Sequence, residues 1–138
     1  MARIRVAQAG MVMLTAALTV AITIAASAQG NPAAAKLKNP VKPTPESIKA
    51  GAASYAKYCK FCHGDDAKGE GALAPKDTHP PSLVDAKWDH GSTDGEIFTT
   101  IKDGVGPKFD MKAMGAKIMD PDIWNIVNYL RSIGPKSK

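Results

Sequence analysis

The chain has two cysteines, and they stand close together in Cys59-Lys60-Phe61-Cys62-His63. Two thiols three positions apart on a helical turn point the same way, and the next residue adds an imidazole. A disulfide across so short a loop removes little chain entropy and staples nothing distant. A thioredoxin-like dithiol needs a β-α-β setting, and no convincing period-two strand appears in the chain. Structural zinc needs four ligands, yet the other histidines, His79 and His90, are isolated in a loop-like stretch. The remaining reading is C-x-x-C-H, the attachment signature for haem c. Cys59 and Cys62 then add to the two vinyl groups along one edge of a single haem, and His63 places its imidazole under the iron.

The elements that must hold this motif are helices. Thr44-Pro45-Glu46 is a helix start: a capping hydroxyl, proline at the first position and a carboxylate in the first turn. Ile48, Ala52, Tyr55, Cys59 and Cys62 recur at spacings of four and three, which is one helix face, and Gly64 marks its end. From Asp65 to His90, Gly69, Gly71, Pro75, Pro80 and Pro81 break any long period. A second helix is expected over Asp94 to Asp103, with a Thr93/Glu96 capping box, a buried face of Ile97, Phe98 and Ile101, and Gly104 closing it. The last helix is expected to be capped by Asp120, with Pro121 at its first position and Gly134-Pro135 ending it. Met119 and Trp124 are placed for a hydrophobic staple, and Ile123, Ile126, Val127 and Leu130 form its apolar stripe.

Upstream of the helices the chain changes character. Arg3 and Arg5 precede an uncharged run from Val6 to Ala28, and Ala26-Ser27-Ala28 supplies small residues for cleavage. Residues 1–28 read as a secretory signal cut before Gln29. The alternative is an uncleaved anchor, since a bilayer span needs about 20 apolar residues. Residues 29–43 are rich in Ala, Lys and Pro and read as an extended linker. If the leader is retained, that linker becomes a membrane tether reaching roughly 45 Å, at about 3.1 Å per residue. The folded unit is expected over residues 44–138.

The formal charge of +5 misleads about the folded part. Setting aside Arg3 and Arg5 leaves 16 basic and 13 acidic residues, and from Cys59 onward 11 basic face 12 acidic. The positive balance sits in the leader and linker, so no basic stripe supports nucleic-acid binding. A unit of three helices and long loops buries little apolar surface and needs help to be stable. A haem would supply the missing core.

From about Ile48 to Ile133 the chain resembles class I cytochromes c, the single-haem His/Met electron carriers. The likeness rests on Gly51-x3-Tyr55-x3-Cys59-x2-Cys62-His63-Gly64 and on Trp124-x4-Tyr129-Leu130-Arg131. Between them, Pro81-Ser82-Leu83, Ser92-Thr93-Asp94-Gly95-Glu96-Ile97 and a methionine segment follow in the expected order. The resemblance implies an all-α, cytochrome c-like fold, with three main helices and long loops around one covalently bound haem. It also implies that the first and last helices cross with Gly51 against Tyr129 and Tyr55 against Ile126. The attached histidine of the family donates to a proline carbonyl, and Pro75, Pro80 and Pro81 all remain open as acceptors.

For the second axial ligand the candidates are Met111, Met114, Met119, His79 and His90. The family places its ligand methionine about 13 residues before the tryptophan of the last helix. The resemblance therefore favours Met111, with Met114 the rival, although Lys112 stands where the family usually has proline. His/Met ligation closes the iron and raises its potential. The implied role is electron transfer between transient redox protein partners, in the periplasm or at the outer membrane face, rather than enzymatic catalysis. Two alternatives stand beside it: a haem subunit of a larger dehydrogenase or oxidase, and an open-site haem enzyme or gas sensor.

Overall fold

The computed structural model describes residues 30–77, 79–86, 88–106 and 111–134. The leader, Gln29, Pro107 and Pro135 lie outside these residues, as do the readings that rest on them. Among the described residues there are four helices and one short 3-10 turn at Ala34–Lys36. The helices are α1 (Pro45–Tyr58), α2 (Lys60–His63), α3 (Asp94–Asp103) and α4 (Asp120–Ile133). The only pairing of extended backbone in this set is an isolated bridge between Val105 and Met111.

The helix ends follow their capping chemistry. Thr44 accepts from the Ser47 amide and Ser47 Oγ reaches back to the Thr44 amide, which closes a reciprocal box at α1. Thr93 and Glu96 do the same at α3. Two boundaries differ from expectation. The first helix breaks at Cys59, which ends α1 and starts the single turn of α2. The N-cap of α4 is Met119 rather than Asp120, and Met119 is 72% exposed, so it does not staple to Trp124. Ile118, one residue earlier, is buried with Ile123 in its place. The staple is built one residue upstream because the cap itself sits there.

The core forms where α1 crosses α4 and α3 leans on α4. Ile123, Ile126 and Val127 are fully buried along one stripe of α4. At the crossing, Gly51 faces the Asn125 carbonyl and Tyr129 Cβ with no room for a side chain. The rings of Tyr55 and Tyr129 meet at 5.3 Å, and Tyr55 shares the buried cluster with Ile126. Phe98 stacks on Trp124 at 4.0 Å and ties α3 to α4.

Residues 29–43, expected to be an extended linker, are docked on the helices from Gly30 onward. Asn31 Oδ1 accepts from the Ala33 and Ala34 amides and starts the 3-10 turn. Ala34 is buried against α3, where Gly95 leaves room for its backbone. Asn39 Nδ2 donates to Asn128 Oδ1 at 2.8 Å and to the Trp124 carbonyl at 3.3 Å. Asn128 Nδ2 in turn donates to the carbonyls of Val41 and Lys42 and to Ser47 Oγ. The segment has only Leu37 and Val41 as sizeable apolar residues, and it is held by amide hydrogen bonds, by Val41 against the core and by Ala34 in a tight gap. The hydrogen bonds and the tight gap do not register in a hydropathy count. From Gly30 the described chain is therefore packed against the helices and not extended away from them.

Candidate haem site

Cys59, Cys62 and His63 occupy the short turn that follows α1. The Cys62 and His63 amides both donate to the Cys59 carbonyl, at 3.2 and 3.0 Å, and Gly64 closes the turn at φ +80°. The buried Tyr55 hydroxyl donates to the Gly64 carbonyl at 2.7 Å and holds the turn against α1. Burial keeps the Tyr55 phenol well above its ordinary pKa, so it stays a neutral donor. Gly71 passes so close to the carbonyls of Phe61 and Cys62 that a side chain there has no space. The loop thus wraps the turn tightly on one side.

The donor set is chemically available. Both thiols are free, Cys59 half-buried and Cys62 exposed, and they do not pair with each other. Burial, with the neighbouring Cys62, pushes the Cys59 thiol up to about 12. Burial lowers the pKa of His63, which favours the neutral imidazole that a metal requires. His63 Nδ1 is buried with no hydrogen-bond partner. Gly69, whose amide donates to the His63 carbonyl, abuts the Pro80 carbonyl. The Pro80 carbonyl thus lies against the backbone that follows the His63 turn.

Met111 and Met114 lie on the return from α3 to α4, both half-buried against the core that Cys59 also touches. The Met111 carbonyl accepts from Val105 at 2.8 Å, and the Met114 amide donates to the Ile101 carbonyl at 3.0 Å. Met119, His79 and His90 are exposed. Leu83, Val84 and Trp88 complete the half-buried apolar rim.

Trp88 was not singled out from the sequence. Its Nε1 is the other buried side-chain atom without a partner among the described residues. The Arg131 guanidinium lies 5.9 Å from its ring while bonding Asp94 and the Ser92 carbonyl. The available signal was compositional: Trp88 is one of two tryptophans, set in a polar loop. Two orphaned buried nitrogens, an apolar rim and an unpaired Cys-Cys-His set fit a flat group with an iron centre and acidic edges.

Residues 46–130 match the family described as cytochrome c oxidase, cbb3-type, subunit III. The chain belongs to this family. The subunit CcoP of the cbb3-type oxidase of Rhodobacter capsulatus is 34% identical over 90 residues, covering 62% of this chain and 29% of that protein. The subunit FixP of Bradyrhizobium sp. strain ORS 278 is 38% identical over 85 residues, covering 62% and 27%. The chain thus spans under a third of the length of these relatives. Among solved structures, cytochrome cL of Methylophaga aminisulfidivorans superposes with a TM-score of 0.55 at 28% identity, over 71% of this chain and 58% of that one. The all-α fold is that of class I c-type cytochromes, and the family's cofactor is haem c. No described helix is long and apolar enough to cross a membrane.

Proposed function

We propose that the chain is a single-haem electron carrier whose haem is bonded through Cys59 and Cys62 and ligated by His63 and Met111. The observation that carries this is the half-buried His63, with its Nδ1 buried and unpartnered and its pKa lowered by burial, directly after two unpaired thiols. When bound, the haem supplies a one-electron couple. The chain's own residues do the rest. His63 would hold the iron through its imidazole, and a carbonyl acceptor for Nδ1–H would fix the ring and raise its basicity. Trp88 Nε1 offers a donor to a carboxylate at the edge of the group. Leu83, Val84 and the methionine segment keep water away. Burial does not separate Met111 from Met114, since both are half-buried; the 13-residue spacing to Trp124 favours Met111.

A closed His/Met site suits electron transfer and excludes small ligands. The test is a visible spectrum with carbon monoxide added to the reduced protein. A weak red-edge band when oxidised, and slow or absent carbon monoxide binding, support the carrier. Immediate binding supports the open-site enzyme or sensor instead.

A second reading is favoured by one observation: the relatives are oxidase subunits of which this chain matches a single part. In that reading the domain serves a larger oxidoreductase and takes electrons inside an assembly. Co-purification from native membranes distinguishes the two. Export, with cleavage before Gln29, is part of the proposal, because the docking of residues 30–43 removes the need for a tether to explain them. An intact Met1 or Ala2 start in the membrane fraction would overturn the cleavage.

A further inference from the structure

We propose that Lys102 is the positioning residue of the methionine loop, clamping its return to α4 so that the sulfur ligand stays within reach of the iron. This rests on the methionine ligation proposed above. A thioether is a neutral, weak donor, so its occupancy depends on the effective concentration that its loop provides. The loop between α3 and α4 is tied early by Val105 to Met111 and late by a set of contacts from Ile101 and Lys102. The Ile101 carbonyl accepts the Met114 amide and the Lys102 carbonyl accepts the Gly115 amide, both at 3.0 Å. A Cβ on Gly115 would lie 2.9 Å from Lys102 Cγ, so the lysine stem covers the loop backbone there. Lys102 Nζ then reaches Asp120 Oδ2 at 2.8 Å, the first residue of α4. The same ammonium lies 5.5 Å from the centroid of Phe98, which stacks on Trp124.

The placement suits both helix dipoles. Lys102 sits in the last turn of α3 and Asp120 in the first turn of α4, so each charge faces the favourable end of its helix. The pair is half exposed, at 40% and 52%. Pairs of this kind add little to global stability. Their effect is local: breaking the clamp frees the loop to open while the α1–α4 core remains folded.

The test uses the haem-loaded full chain with Lys102→Ala, Lys102→Arg and Asp120→Asn. Reduced protein is mixed with carbon monoxide, which enters only after the methionine leaves, and the oxidised red-edge band is recorded alongside. Asp120→Asn is expected to speed binding about threefold. Lys102→Ala, which loses stem and charge, should reach about tenfold, and Lys102→Arg should restore the wild-type rate to within about twofold. Helix content against denaturant should change little in all three. Rates within twofold of wild type for Lys102→Ala and Asp120→Asn, with the methionine band present, would overturn the clamp alone. If Lys102→Ala fails to fold, Asp120→Asn alone decides. A wild type without the band would overturn methionine ligation and the clamp together.

Discussion

Asn39 and Asn128 bond each other side chain to side chain at 2.8 Å across 89 positions of the chain. Asn39 lies in the docked N-terminal segment, and Asn128 is buried on α4. Asn128 therefore satisfies its amide entirely on that segment and on Ser47 at the start of α1. One side chain joins three parts of the chain.

Replacing Asn128 by Ala removes its bonds to Asn39, to the Val41 and Lys42 carbonyls and to Ser47 at a part-buried site, and leaves Asn39 Nδ2 only the Trp124 carbonyl. The expected cost is about 1–3 kcal/mol. Limited proteolysis should cut between residues 30 and 43 in the variant and spare the parent. Equal resistance in both would show that the segment is held by other contacts.

Gly51→Ala places a methyl group against the Asn125 carbonyl and 2.9 Å from Tyr129 Cβ. The helices must separate, since backbone cannot give way as a flexible side chain can. Thermal unfolding of the haem-loaded protein should show a loss of about 1–3 kcal/mol. An unchanged midpoint would mean that the crossing has slack.

Changing Cys59 and Cys62 together to Ala should abolish covalent haem, and changing either alone should lower it. Acid-acetone extraction measures this directly, because only thioether-bonded haem stays with the protein. The haem-free double variant should also lose cooperative unfolding by circular dichroism, since so small a core is marginal by itself. Haem that resists extraction from the double variant would overturn the attachment.

Met111→Ala should open the sixth position, lower the potential and admit carbon monoxide. Met114→Ala should loosen packing and leave the ligation in place, at a cost of about 2–4 kcal/mol tempered by its half exposure. Spectra and potentials of the two variants separate the roles. The reverse pattern would transfer the ligand to Met114.

The haem-attachment motif was legible in the sequence because it depends on neighbours in the chain. Cys59, Cys62 and His63 lie within five positions, and a helical turn alone brings them together. The capping hydroxyl at Thr44, the capping box at Thr93 and the stripe of α4 are local in the same sense. The break at Cys59 and the shift of the α4 cap to Met119 were not legible, because packing against α1 and the burial of Ile118 decided them. The docking of residues 30–43 is the clearest case. Nothing near Asn39 announces a partner, and its bond to Asn128 exists only once α4 is folded against α1. The unpaired Nε1 of Trp88 and the ties from Ile101 and Lys102 to the methionine loop belong to the same class. Local spacing determines which groups a turn can present. Which polar groups are buried, and by whom they are satisfied, is settled by segments that meet only in three dimensions.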